Sequence, residues 1–388
     1  MHGFLSDAYV PIDALAKLIS LLVKGYEREG EVKGDKAAFL ESILQRYFPG
    51  FVYGWMTLIS HRFFLAPLMG LPDEMGWQPL AKLTECLLSY ISELLKPLQL
   101  SLATRDIYQG VFKFFVVLQH DYPDFLAAHS SKLCASIPSN CVQLLNLVLN
   151  AHPTMPKLPD PLQPGLKIDR IDEIRILPEI INDIEGNLQS TGLLEILDQA
   201  LQDGPSEDAV AHITHTIQRK QTGVTGPGFV PINVDLQLIE SVVLHIVMYA
   251  VAKSRQKGGP TFVRSSPDSA LISMLVHELN PEARHYLITS MVNQLRFPNS
   301  HTHYFMQAIL ELFGNDFNDQ EESDISQQIL RVLLERAFIS LPIPWGVLVT
   351  VIELVKNEKY TFFDLPYIKS TPEVADRIAV IVQRSLSR

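Results

Sequence analysis

The chain has 388 residues, 47% hydrophobic and 19% charged, with a formal net charge of −11. This composition excludes a disordered or collagen-like chain and is long enough for one large or two medium domains. The acidic balance argues against a surface that binds nucleic acid unaided, which would carry a basic excess.

Three cysteines, Cys86, Cys134 and Cys141, form no CxxC pair, which fits buried thiols in a reducing compartment. The N-terminal MHGFLSDAYV lacks a basic region followed by a long apolar run. The apolar stretch near Val242–Ala252 is too short to span a bilayer. These features lead to the expectation of a soluble chain in the cytoplasm or nucleus.

In chain order, Pro11 opens a helix over 11–24, with Ile12, Leu15, Ile19 and Leu22 on one face. A polar loop over 25–34 and a helix over 35–45 follow. The next pattern predicts one helix over 51–69. Val52, Trp55, Ile59 and Phe63, at spacings of three, four and four, form its buried side. Arg62 lies beside that face and His61 further round, so both can reach solvent. Further helices are expected over 79–96, 103–120, 123–131 and 139–150. Gly110 interrupts one of them, which costs about 1 kcal/mol unless close packing needs it.

Residues 152–164, HPTMPKLPDPLQP, hold five prolines and exclude a helix or a central strand. They read as a connector between a lobe over 1–151 and a lobe over 165–388, or equally as a long loop inside one domain. Beyond it, DRIDEIRILPEI suggests a short helix ending before Pro178. Helices are expected over 191–202, 206–219, 234–254, 268–279, 281–296 and 300–314, with Gly/Pro loops at 222–233 and 255–267. Asn318 with Glu321 has capping-box spacing for a helix to Phe338. Helices over 345–356 and 371–386 close the chain. The recurrence of helix pairs every 35–45 residues predicts an all-α fold, an elongated HEAT-like helical repeat stack.

The turn RFPNSHTHYF, residues 296–305, is richer than a turn needs to be. Pro298 stops the first helix, Asn299 or Ser300 can cap the second, and Arg296 suits the first helix's last turn. Arginine and aromatic residues beside apolar grooves dominate interfaces. Candidate partner-binding residues are therefore Trp55, His61, Arg62, Arg296, Asn299, His301, His303, Tyr304 and Trp345. The competing reading is that they stiffen packing and satisfy loop carbonyls.

No catalytic residue, cofactor site or metal site is expected. His301 and His303 point apart on a helix, and His212 and His215 share a face without a third ligand. Nucleophile elbows, phosphate loops and kinase motifs are missing. Cys134 and Cys141 lie in an apolar stretch with no basic activator. A helical enzyme with an unfamiliar site and a direct RNA-binding solenoid remain the alternatives.

Five strings carry a family resemblance, in the family's order: VPIDALAKL (10–18), FVYGWMTLISHRFFLAPL (51–68), LPDPLQPGLKID (158–169), RFPNSHTHYF (296–305) and LPIPWGVLVTVIELVKN (341–357). Together they resemble the C-terminal Not domain of the large scaffold subunit of the eukaryotic CCR–NOT mRNA deadenylase complex. The resemblance implies a non-catalytic scaffold that docks the Not-two and Not-three (or Not-five) subunits. It also implies recruitment of short linear motifs from RNA-binding repressors, for mRNA decay and translational repression, in the cytoplasm with its decay bodies and in the nucleus. The family carries more helical material ahead of the 51–68 string; either this version is shorter or a piece is missing, and if one is missing the join lies near Gln45–Phe48.

Overall fold

A computed structural model describes residues 51–95, 100–138, 140–154, 158–163, 165–218, 234–314, 320–339 and 342–386. The expected elements before residue 51, the join near Gln45–Phe48, the loop at 222–233 and the cap at Asn318 lie outside these. Among the described residues the regular structure is helical, with no strand. The chain divides into two compact units, with the division between Val148 and Leu149.

In the first unit, α1 (Phe51–Ile59), α2 (Arg62–Met69), α3 (Trp77–Leu94) and α4 (Leu102–Asp121) are followed by short helices α5 (Pro123–Ala128) and α6 (Ser130–Ser136). Helix α7 (Val142–Asn150) crosses the division. α1 packs on α3 and α4, and α3 on α6. Leu80, Leu87, Ile91, Phe114, Phe115 and Leu118 are buried between them, each worth roughly 1.5–3 kcal/mol. Trp77 meets Phe125 and His129 edge-on and Phe125 lies tilted against His129, with ring separations of 4.6–5.9 Å. Gly110 on α4 faces Met56, and an added Cβ would lie 3.2 Å from its sulfur and methyl.

The second unit holds α8 (Ile184–Ser190), α9 (Leu194–Asp203), α10 (Glu207–Ile217), α11 (Leu236–Lys257), α12 (Pro267–Glu278), α13 (Pro281–Asn293), α14 (Ser300–Phe313), α15 (Gln320–Ile339), α16 (Trp345–Lys356), α17 (Pro366–Ser370) and α18 (Pro372–Leu386). DRIDEIR forms two 3₁₀ turns, Ile168–Arg170 and Asp172–Arg175, in place of the expected short helix. The sequence reading also missed α8, which Asp183 caps by accepting from the Gly186 N–H. Helix α11 has 22 residues and is long and apolar enough to cross a membrane by length and composition. The shorter reading had considered only Val242–Ala252. Here α8, α13 and α14 cover its apolar sides, and Leu238, Val242, Leu244 and Val247 are buried.

Twelve of the fourteen residues of α14 are buried, among them five with polar side chains, Ser300 to Tyr304. A helix buried all round cannot leave such groups to water, so the turn that starts it must satisfy them internally. Asn299 caps the helix, its Oδ1 accepting from the Thr302 N–H at 3.0 Å. The Thr302 hydroxyl is placed 2.8 Å from the Gln294 carbonyl and 2.7 Å from the Phe297 carbonyl, the last acceptors before the turn. The Ser300 N–H donates to the Ile176 carbonyl at 2.9 Å. The Gly346 N–H, at the start of α16, donates to the Arg296 carbonyl at 3.1 Å. A Cβ on Gly346 would stand 2.6 Å from the Thr302 methyl and 2.9 Å from the Leu295 backbone. Only glycine lets α16 approach the turn this closely.

Two glycines therefore behave in opposite ways. Gly346→Ala meets backbone that cannot yield, and should destabilise by about 1–3 kcal/mol. Gly110→Ala meets the free end of a flexible methionine and gains helix propensity, so it should be neutral or stabilising by up to about 1 kcal/mol. Urea unfolding of both variants checks this; a neutral Gly346→Ala would contradict the close approach.

Buried histidines set a pH dependence. Burial lowers His301 from the ordinary 6.5 to about 4. It does the same to His129, whose ring is 3.1 Å from the Phe125 carbonyl. Above pH 6.5 each is neutral in both the folded and unfolded chain. Between pH 6.5 and about 4 the unfolded chain takes up the proton and the folded chain does not. Unfolding then gains protons, so stability falls on acidification across that window, by roughly 2–4 kcal/mol for His301 alone. Unfolding free energies from pH 7 to 4 should show this slope, and His301→Phe should remove about half of it, His129 supplying the rest.

Candidate partner-docking site

The expected helix over 51–69 is two helices. Hydroxyls of Thr57 and Ser60 donate back to the Tyr53 and Met56 carbonyls, at 2.7 and 2.6 Å, in the last turn of α1. Such bonds compete with the helix ladder. Pro67 inside α2 lacks the N–H that a long helix would use. His61 stands between the helices in extended conformation, φ −73° and ψ 133°, and caps α2. Its Nδ1 accepts from the Phe63 N–H at 3.3 Å, which assigns the ring proton to Nε2.

The break changes which side chains face outward. On one continuous helix Phe63 would follow Val52, Trp55 and Ile59 into the core. Those three are buried, but Phe63 is 72% exposed, which corrects the expectation. The Arg62 guanidinium lies 4.7 Å from the centre of the Phe63 ring. The His61 ring is 5.3 Å from it. Arg62 is exposed and His61 half-buried. A cation, an imidazole and an aromatic ring thus share one exposed spot at a helix N-terminus. The helix dipole adds positive potential there, which favours a carboxylate or carbonyl from another chain. Phe63 was missed because its spacing matches the buried face; the only local signal was the Thr57/Ser60 pair with Pro67.

The other sequence-selected residues lie inside. Trp55 is buried, and its indole N–H donates to the Leu83 carbonyl at 3.2 Å. Asn299, His301, His303, Tyr304 and Trp345 are each no more than 8% exposed. His303 bridges, with Nδ1 2.6 Å from the Thr261 hydroxyl and Nε2 2.9 Å from Asp169. The Tyr304 hydroxyl donates to buried Asp268 at 2.9 Å, and burial raises its pKa well above 10. The Trp345 indole donates to the Pro159 carbonyl at 2.9 Å. Arg296 lies past the end of α13, not in its last turn, and is half-buried. Its guanidinium donates to the carbonyls of Leu149, at 2.9 Å, and Ala151. The Asn299, Thr302, His303 and Tyr304 side chains are bonded inward, and the Ser300 Oγ and His301 Nδ1 are buried without a partner among the described residues, so none of them faces outward. Trp55 is buried as its helical spacing predicts, burial of the 296–305 residues and Trp345 favours the reading that they stiffen packing, and the exposed candidates are His61, Arg62 and Phe63.

Chemistry finds little purchase. No group of three potential ligands gathers for a metal among the described residues. His212 and His215 are both exposed on α10. Cys141 is buried, and burial raises its pKa, with the Tyr108 contact opposing; this keeps it a thiol.

Residues 31–382 match the family model described as "CCR4-Not complex component, Not1". A similar relative, the general negative regulator of transcription subunit 1 of Schizosaccharomyces pombe, is 32% identical over 86% of this chain. This chain spans 15% of that relative's length. Among solved structures, the NOT1 superfamily homology domain from Chaetomium thermophilum superposes with a TM-score of 0.82. It is 40% identical, with 96% of this chain and 72% of that one covered. A Not1 C-terminal domain solved in complex with Not4 gives 0.76 at 25% identity, covering 94% and 76%. The chain belongs to the Not1 family of CCR4-Not complex components, a non-catalytic family.

Proposed function

We propose that this chain is a scaffold module of the CCR4-Not complex, which holds other chains on its helical surface and performs no chemistry of its own. The observation that carries this reading is the likeness to a Not1 C-terminal domain solved with Not4 bound. Its partners on this reading are the Not-two and Not-three/five subunits and short motifs of RNA-binding repressors. Through them the deadenylase is brought to target mRNA for decay and translational repression, in the cytoplasm, including decay bodies, and in the nucleus. The His61–Arg62–Phe63 spot supplies one docking point: a planar cation able to fork onto a carboxylate, backed by an exposed ring.

His61→Asp tests the docking point without opening a cavity. Aspartate is a better N-cap than histidine and adds a negative charge at a helix N-terminus. The free chain should therefore hold its stability or gain up to about 1 kcal/mol. Binding to a Not-two/Not-three heterodimer should weaken by about 2 kcal/mol or more, roughly 30-fold. A melting point several degrees lower would make His61 structural. Unchanged binding would place the docking surface elsewhere.

A further inference from the structure

Phe63 is one end of a longer apolar row. On α2, Ala66 and Pro67 lie three and four residues on, so they share its exposed side. Gly70 closes the helix and is exposed, and Leu71, 41% exposed, follows it. Ala66 and Gly70 carry little or no side chain, so the row dips between the Phe63 ring and Leu71.

The two ends of this row differ in charge. Arg62 stands at the first end, its guanidinium over the Phe63 ring. Past the other end, the 3₁₀ turn Pro72–Glu74 carries Asp73 and Glu74, both exposed. The turn is folded back on α2, because a Cβ on Gly76 would run into the Leu68 carbonyl. Asp73 and Glu74 are held there at φ 51° and 58°, a backbone region costly for any residue with a Cβ. The dipole of α2 runs the same way, positive at Arg62 and negative toward Gly70. An apolar strip with a cation at one end and carboxylates at the other is complementary to a segment of the opposite layout.

We propose that this strip docks an extended segment of a partner chain in which an acidic, an apolar and a basic residue alternate with one residue between each, in either chain direction. The inference rests on docking at His61, Arg62 and Phe63, and deepens it by naming the segment. Alternate side chains of an extended chain point to one side, and the outer two of such a pattern stand about 13 Å apart. That matches the length of α2, roughly 12 Å for its eight residues. The carboxylate meets the Arg62 fork, the apolar side chain enters the dip between Phe63 and Leu71, and the basic end reaches Asp73 and Glu74. An extended segment is favoured over a partner helix because α2 offers only about two turns to pack against.

The test is binding to the Not-two/Not-three heterodimer at two ionic strengths. Arg62→Gln and the double variant Asp73→Asn, Glu74→Gln should each bind at least 5-fold more weakly at low salt, and the loss should shrink at high salt. No binding by the parent chain, or unchanged binding by Arg62→Gln, would remove the docking reading itself and this inference with it. A loss with Arg62→Gln but full binding by the double variant, its melting point held, would overturn this inference alone. The photo-crosslinker p-benzoylphenylalanine placed at Leu71 reads the occupant, and carries the test if the double variant fails to fold. The captured heterodimer peptide should hold an acid and a base two residues either side of an apolar residue. Capture of residues 1–50 of this same chain, of a second copy, or of a heterodimer segment without that pattern would overturn the proposal, as would no capture while binding persists.

Discussion

The second unit depends on one constraint: a turn that lies inside the protein must satisfy its own backbone. α14 is enclosed by α11, α15 and α16, so the chain entering it from α13 has no water to bond with. Asn299 and Thr302 close the gap locally, by capping the helix and by taking up the carbonyls of Gln294 and Phe297. The remaining bonds go to distant segments. Arg296 reaches the carbonyls of Leu149 and Ala151 at the end of α7, the Ser300 N–H reaches Ile176, and His303 reaches Thr261 and Asp169. Gly346 completes the arrangement by letting α16 close on the turn. Each removed partner would leave a buried group unpaired, at roughly 1–3 kcal/mol.

This division of labour bears on how a scaffold is built. Arginine, asparagine, histidine and tyrosine are interface residue types, yet here they are spent on holding helices in register. An exposed group of such residue types lies at α2, where a helix break turns Phe63 outward beside Arg62 and His61. Rigid helices with a few exposed anchors suit a protein whose work is to position other chains, because little order has to be created on binding.

Much of the fold was legible in the sequence because helix periodicity and proline positions are local. The 345–356 helix begins after Pro344, and α14 begins after Pro298 and Asn299, as read. The break at Ser60–His61 was not legible. The spacing of Val52, Trp55, Ile59 and Phe63 continues smoothly through it, and only back-bonded hydroxyls and a histidine cap interrupt the ladder. The 296–305 turn could be read either as a partner surface or as stiffened packing, and the sequence could not choose between them. Its residue types were read correctly, but whether they face water depends on segments up to 147 positions away in sequence, as for Arg296 and Leu149.

The claim that this turn is an internal brace is tested most directly by hydrogen exchange on the free chain. The amides of Leu295, Arg296, Ser300, Thr302 and Gly346, each bonded inside the protein, should exchange only with global unfolding of the second unit, at rates matching the core of α14. Exchange at the rates of an exposed loop, orders of magnitude faster than α14, would show that the turn opens on its own and would contradict the account.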